Sequence, residues 1–230
     1  ELGKNHFQFF RKSMKEDIVR KTDIEYKLKN AIMDEELSLR YQPQFSLHSN
    51  KIRGFEALLR WHNPSLGEIM PLEFISIAEE TGLIIPIGEW VLKNACHTMK
   101  GWQDKYGADT VISVNISPAQ LKDQFFIETV RRVLCETGLR PESLELEITE
   151  SVCIESVNKT VDILAKIKKM GVKISLDDFG TGFSSLSYLK LLPIDTLKID
   201  KSFIQELQDI TVKNEIVEAV ISLVQQLKID

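Results

Sequence analysis

Hydrophobic positions along the chain follow two different periods. In SMKEDIVRKTDIEYKLKNAIMDEE, residues 13–36, Ile24, Leu28 and Ile32 recur every four residues, which is the spacing of an amphipathic helix. From Leu37 the pattern changes to alternation, because LSLRYQPQFSL and KIRGFEALLRW flank the short polar segment HSN. These two runs predict a β-hairpin of two antiparallel strands.

Beyond the hairpin, short apolar runs alternate with longer helical patterns. Helices are predicted in PLEFISIAEETG, IGEWVLKNACHTMKGWQDKYG, PAQLKDQFFIETVRRVLCETG and ESVNKTVDILAKIKKMG, and a helical region follows the last strand. Such alternation predicts βαβ units and a parallel sheet. Six strands are predicted, at residues 39–46, 52–60, 111–116, 144–149, 172–177 and 195–199.

The order of these elements favours a (β/α) TIM-like barrel with one antiparallel strand, in the α/β class. A closed barrel of this kind has eight strands and about 250 residues, whereas six strands are counted in these 230 residues. The last segment, LVQQLKID, resembles the end of a helix at a point where a seventh strand is expected. We therefore expect a barrel that lacks its last two strands in this chain.

Composition narrows the function classes. The chain carries 29 basic and 34 acidic side chains, a formal charge of −5, and no basic block, which argues against duplex nucleic acid as a partner.

Cys96, Cys135 and Cys153 are widely spaced, as expected of buried thiols in a reducing compartment. No apolar run has the length of a membrane span, and the first residues do not resemble a signal peptide. The expectation is a cytoplasmic chain, with any membrane anchor in another part of the parent protein.

The segment KISLDDFGTGFSS, residues 173–185, ends an apolar run with two adjacent carboxylates. Asp177 and Asp178 repel each other unless water or a cation compensates their charge. A solvated turn is the simpler interpretation, because Asp and Gly are common turn residues. Other strands favour a functional site, because most of them also place a polar side chain near the C-terminal end.

Five strand ends contribute Glu56, Asn115, Glu147, Asp177 and Lys198. Each alone could be an exposed edge residue, a helix cap or a solvated lysine, but together they favour an active site, which a (β/α) barrel builds at this end. Carboxylate and amide oxygens suit Mg²⁺ or Mn²⁺. Two metals beside the paired aspartates would suit phosphodiester hydrolysis, with the lysine orienting water or stabilising phosphate charge. The residues predict a metal-dependent enzyme acting on phosphate esters.

Five motifs, FEALLRW, VNIS, ELEITE, DDFGTGFSSLSYL and LKIDKSFI, resemble in order and spacing those of the EAL domain family. The resemblance covers residues 24–230. It implies a (β/α) barrel with one antiparallel strand that hydrolyses cyclic di-GMP to the linear dinucleotide pGpG, with Mg²⁺ or Mn²⁺ at a two-metal site. It also implies a homodimer in bacterial second-messenger signalling.

The resemblance assigns roles residue by residue. The metal ligands are Glu56, Asn115, Glu147, Asp177 and Asp178, with Asp177 shared by both metals. The catalytic groups are Glu56, Asp177, Asp178 and Lys198, the last of which contacts the nucleophilic water. The substrate-binding residues are Gln44, Leu58, Arg60 and Asp200. Glu150 is the anchor of the loop that starts at Asp178, in which Gly180 and Gly182 let the backbone adjust.

The resemblance also divides the chain into segments. Residues 1–10 resemble the last strand of a GGDEF (diguanylate cyclase) domain, residues 11–36 are a linker helix and the barrel entry, and residues 37–230 are the EAL domain. Family members continue into a strand with a glutamate for the second metal and another with a glutamine near the substrate. Neither is found in this sequence, so the second metal and turnover are in question for the chain by itself.

Two other functions remain open from the sequence. One is a catalytically inactive EAL domain that acts as a cyclic di-GMP receptor or a protein-interaction module. Against it, the motifs carry no substitution in the part that is visible. The other is a generic metal-dependent phosphatase on the same barrel, which the substrate-binding positions and the loop motif argue against.

Overall fold

A computed structural model describes residues 12–107, 109–153, 157–180, 189–205, 215–227 and 229. The helices are α1 Lys12–Leu28, α2 Pro71–Thr81, α3 Ile84–Tyr106, α4 Pro118–Lys122, α5 Phe126–Thr137, α6 Val157–Lys168, α7 Lys201–Gln205 and α8 Glu215–Leu227. The strands are β1 Leu37–Ser46, β2 Lys51–Asn63, β3 Gly67–Ile69, β4 Val111–Ile116, β5 Leu144–Thr149, β6 Lys173–Phe179 and β7 Thr196–Ile199. Short 3₁₀ turns cover Pro141–Ser143 and Glu150–Cys153.

One sheet contains all of these strands, in the order β1-β2-β4-β5-β6-β7, with β3 paired to β2. Four residues, 47–50, connect β1 to β2, and so short a connection joins only antiparallel strands. The pairs from β2–β4 to β6–β7 are parallel. The predicted α/β class, with a mostly parallel sheet and an initial hairpin, is confirmed. Among the described strands the barrel is not closed.

The chain forms two compact units, residues 1–38 with 60–84 and residues 39–59 with 85–230. In the first unit, α1 packs on α2, and Ile24 and Leu28 are buried as their spacing predicts. Trp61 meets the ring of Phe74 edge-on, with centroids 5.5 Å apart. The indole Nε1 of Trp61 also donates to Glu36 Oε2 at 2.8 Å, which gives this buried aromatic its polar partner.

In the second unit, β5 shows how the sheet presents its polar residues. Every residue from Leu144 to Ile148 is buried, as expected of a strand that is covered on both faces. Because side chains alternate, Leu146 lies on one face, whereas Glu145 and Glu147 lie on the other. The apolar face belongs to the core, and the opposite face holds the candidate site.

Two helix predictions were wrong in extent. The helix predicted over residues 13–36 ends at Leu28, because the chain turns before β1 and Ala31 is buried within that turn. The helix predicted through PAQLKDQFFIETVRRVLCETG is divided into α4 and α5. Asp123 adopts an extended conformation between them, and Phe126 starts α5 with its side chain buried.

Strand β3 was not predicted, because three residues are too few for a periodic pattern. It pairs antiparallel with the end of β2. Within the described residues, no helix is both long and apolar enough to cross a membrane.

Candidate active site

The parallel register brings the C-terminal halves of the inner strands to one end of the sheet. Glu147 on β5 lies opposite Asn115 on β4 and opposite Ser175 on β6. Two residues further along the same strands, Asp177 on β6 lies opposite Thr149 on β5. Residues that are far apart in sequence are therefore neighbours on one face.

Lys198 lies at the centre of this group. Its Nζ donates to Glu147 Oε2 at 2.8 Å, to Asp177 Oδ2 at 3.0 Å and to Glu56 Oε2 at 3.3 Å. Asn115 Nδ2 donates to the other oxygen of Glu56 at 2.9 Å. The structure thus joins residues from five strands, and we call these five side chains the carboxylate cluster.

The carboxylate cluster contains more acidic than basic side chains. The pKa of Glu147 is raised to about 7, mainly by burial and also by the charges of Glu56 and Asp177, against the opposing effect of Lys198. Burial lowers the pKa of Lys198, but its contacts with the three carboxylates outweigh burial, and the net shift is upward. Three carboxylates around one ammonium leave excess negative charge in a poorly solvated place, an arrangement that favours binding of a cation.

The donor set fits a hard divalent cation, because it consists of carboxylate and amide oxygens. Within the described residues, the buried Glu147 Oε1 has no hydrogen-bond partner, so one ligand oxygen is available. The same part of the chain contains no group of three or more His, Cys, Asp or Glu side chains arranged to hold a metal. The ammonium of Lys198 lies among the three carboxylates instead.

Asp178 follows the cluster at the end of β6. Its backbone adopts φ +54°, an uncommon conformation for a residue other than glycine, and its N–H donates to Asp177 Oδ1 at 2.9 Å. Burial and the nearby charges of Asp177 and Asp200 raise the pKa of its carboxyl group. Gly180 also has a positive φ, +100°, whereas Gly182 and most of the predicted loop lie outside the described residues.

The predicted substrate-binding residues are distributed differently. Gln44 donates to Ser113 Oγ at 3.5 Å and accepts from Arg53 at 3.1 Å, so it lies one layer below the carboxylate cluster. Leu58 and Arg60 are half-buried on β2, and Arg60 belongs to the other compact unit. These positions do not test the substrate contacts assigned to the three residues, which stay predictions.

Asp200 and Glu150 flank the strand ends. Asp200 accepts the backbone N–H of Ser202 at 2.9 Å, at the start of α7, and its hydrogen bonds with Ser202 lower the pKa of its carboxyl group. Glu150 begins the 3₁₀ turn after β5, and its Oε2 has no partner among the described residues. The loop that it was predicted to anchor is largely outside that part of the chain.

Sequence reasoning missed one residue of this region, Arg53. The alternation of SLELEIT places Glu145 on the face of Glu147, but nothing in the sequence links Glu145 to an arginine 92 positions away. Glu145 lies on a strand of the predicted parallel sheet and had no assigned role in the site. Strands of a parallel sheet are normally buried, and buried charges are normally paired, so Glu145 indicates that a basic partner lies nearby.

The chain resembles known proteins over nearly all of its length. The family model described as "EAL domain" matches residues 25–230. The bifunctional diguanylate cyclase/cyclic di-GMP phosphodiesterase MucR of Pseudomonas aeruginosa is 42% identical over 223 residues, 97% of this chain and 33% of that relative. The cyclic di-GMP phosphodiesterase PdeR of Escherichia coli is 35% identical over 229 residues, 100% of this chain and 34% of that relative.

A solved structure, the PaMucR phosphodiesterase in complex with c-di-GMP, matches with a TM-score of 0.85 and 42% sequence identity. The match covers 90% of this chain and 84% of that chain. Among the curated relatives it resembles, this chain spans between 26% and 34% of their length.

Proposed function

This chain belongs to the EAL domain family, and we propose that it is a cyclic di-GMP phosphodiesterase module that hydrolyses its substrate to linear pGpG. The observation that carries the proposal is the carboxylate cluster, in which five neighbouring strands bring together Glu56, Asn115, Glu147, Asp177 and Lys198. Relatives and solved structures that are named for this activity or this nucleotide support the choice of substrate.

Each side chain of the cluster has a separate task in this proposal. Lys198 would bring positive charge to the phosphate, where negative charge increases as the P–O bond breaks. Asn115 orients Glu56 through its hydrogen bond. The residues that would hold Mg²⁺ or Mn²⁺ are Glu56, Asn115, Glu147 and Asp177, with Asp178 beside them. When bound, such ions supply neutralising charge and a water with a lowered pKa.

Substrate binding is proposed for four further residues. Arg60 is suited to a phosphate oxygen through its guanidinium donors, and Leu58 to the face of a guanine base. Gln44 and Asp200 are proposed to contribute hydrogen bonds. Glu150 is proposed to anchor the loop after Asp178, and a homodimer follows from the family resemblance alone.

A receptor that binds cyclic di-GMP without cleaving it is the second candidate. The position of Lys198 favours it, because the ammonium already neutralises part of the charge that would attract a metal. A domain that keeps this arrangement would bind the nucleotide without metal and without turnover.

Product analysis separates the two candidates. We would incubate the chain with cyclic di-GMP and Mg²⁺ or Mn²⁺, with bis(p-nitrophenyl) phosphate in parallel, and resolve the nucleotides by chromatography. Metal-dependent formation of pGpG with little cleavage of the synthetic diester supports the proposal. Binding of cyclic di-GMP without product supports the receptor, and comparable cleavage of both compounds would indicate a generic phosphodiesterase.

A further inference from the structure

A second polar layer lies beneath the carboxylate cluster. Glu145 is fully buried. Its Oε2 accepts from Arg53 Nη2 at 2.5 Å and from Thr196 Oγ1 at 3.3 Å. Its Oε1 accepts from Ser113 Oγ at 2.9 Å. Arg53 also donates to Gln44 Oε1 at 3.1 Å and to Thr196 Oγ1 at 3.2 Å, so one ion pair connects strands β1, β2, β4, β5 and β7.

The members of this layer lie directly before residues of the carboxylate cluster. Side chains two positions apart on a strand share a face and are successive along it. Three strands repeat this relation: Ser113 precedes Asn115, Glu145 precedes Glu147, and Thr196 precedes Lys198. The Arg53–Glu145 pair therefore holds together the strand positions that lie immediately before the residues of the carboxylate cluster.

Stability alone does not account for such a pair. Removing two charges from water costs several kcal/mol per ion, and well-packed apolar residues in place of a buried pair are often neutral or stabilising. Arg53 keeps a third of its side chain exposed, while Glu145 has none exposed. The pair contributes orientation: Arg53, Ser113 and Thr196, on three other strands, all donate to the Glu145 carboxylate and set its direction.

We propose that Arg53 and Glu145 are positioning residues that hold β5 and β7 so that Lys198 stays in contact with Glu147. Neither residue touches the reacting atoms. The expected loss of kcat rests on the proposed phosphodiesterase function, whereas the expected change in the Lys198–Glu147 contact does not. A displacement of about 1 Å at reacting groups can cost about 100-fold in rate, so loss of the pair should lower kcat.

The test compares wild type with the double variant Arg53→Met/Glu145→Leu, which removes both charges at similar volume, and with Glu145→Gln, which removes only the negative charge. Kinetics on cyclic di-GMP give kcat and KM, thermal unfolding gives stability, and crystal structures give the distance from Lys198 Nζ to Glu147 Oε2. The matched control is Arg131→Gln/Glu128→Gln, which removes an exposed ion pair on α5.

We expect a folded double variant with kcat lowered about 10- to 100-fold and a Lys198–Glu147 contact that is lengthened or lost. In Glu145→Gln, which keeps Arg53 beside Gln44, kcat should also fall while KM stays within about twofold of wild type. The control should match wild type in every readout. An unchanged contact distance together with unchanged kcat would overturn the proposal, and so would unfolding of both variants, since the pair would then serve stability. If wild type itself makes no pGpG, the proposed function fails, and the contact distance alone decides the positioning role.

Discussion

At the scale of single residues, the molecule is organised around one ammonium and three carboxylates. The sequence predicted which strand ends carry Glu56, Asn115, Glu147, Asp177 and Lys198, because period-two alternation decides the face of each side chain. It did not predict that Lys198 would contact all three carboxylates, since hydrogen-bond geometry depends on the register between strands. The position of Gln44 could not be predicted for the same reason. Its contacts with Ser113 and Arg53 depend on how the strands pair and not on its motif.

Replacing one carboxylate tests the assigned chemistry. Asp177→Ala should lower the rate of cyclic di-GMP hydrolysis at least about 1,000-fold, because several kcal/mol of charge stabilisation are lost. Far-ultraviolet circular dichroism should be unchanged, since the side chain is partly exposed. The control is Asp162→Ala, which removes an exposed carboxylate paired with Lys166 on α6 and should retain the wild-type rate. Full activity of Asp177→Ala would contradict the role.

The cysteines provide a second residue-scale prediction. Cys96 is buried as expected, and burial raises the pKa of its thiol to about 12, whereas the expectation of a buried thiol was wrong for Cys135, which is exposed. Because the thiolate is the reactive form, iodoacetamide at pH 8 should modify Cys135 in the native protein and spare Cys96 until the chain is unfolded. Peptide mass spectrometry over a time course measures both rates. Equal rates in the native state would show that Cys96 is accessible.

At the scale of elements, the strand positions were predictable and two of the helix ends were not. Strands such as β4 and β5 were predicted to the residue, because apolar residues recur at alternate positions in both, at Ile112, Val114 and Ile116 and at Leu144, Leu146 and Ile148, which is the period of a strand. The break between α4 and α5 was missed, because no Gly or Pro marks it. It arises where Phe126 is buried and Phe125 stays exposed, which is a consequence of tertiary packing.

The close approach of β2 to β4 gives a prediction about an element. A Cβ added at Gly54 would lie 2.3 Å from the backbone oxygen of Val111, its parallel partner. Gly54→Ala should therefore destabilise the fold by about 1–3 kcal/mol, as overpacking does. Gly101→Ala in α3 meets open space and should be stabilising by about 0.5–1 kcal/mol. Urea denaturation measures both, and equal effects in the two variants would contradict the packing argument.

At the scale of the whole molecule, the order of elements was enough to predict an α/β fold with a mostly parallel sheet. The order in sequence is also the order in the sheet, apart from β3, as expected when successive βα units add one strand at a time. What the sequence did not show is the second polar layer, because the contact between Arg53 and Glu145 bridges strands that are distant in the chain.

Ligand binding should be visible in the stability of the whole molecule. A ligand at about 100 times its Kd stabilises the state that binds it by about 2.7 kcal/mol, which corresponds to several degrees in Tm for a chain of this size. We expect cyclic di-GMP, added without divalent metal so that it is not hydrolysed, to raise Tm in wild type and to raise it less in Arg60→Ala. Scanning calorimetry provides the measurement. An equal shift in both proteins would remove Arg60 from the proposed substrate contacts.

A calorimetric titration of the chain with Mn²⁺ measures whether the carboxylate cluster binds a divalent cation, on which the proposed hydrolysis depends. We predict saturable binding to wild type that is lost in Asp177→Ala and kept in Asp162→Ala. Binding that persists undiminished in Asp177→Ala, or no binding to wild type, would contradict the claim and leave the cluster as an ion-pair network around Lys198.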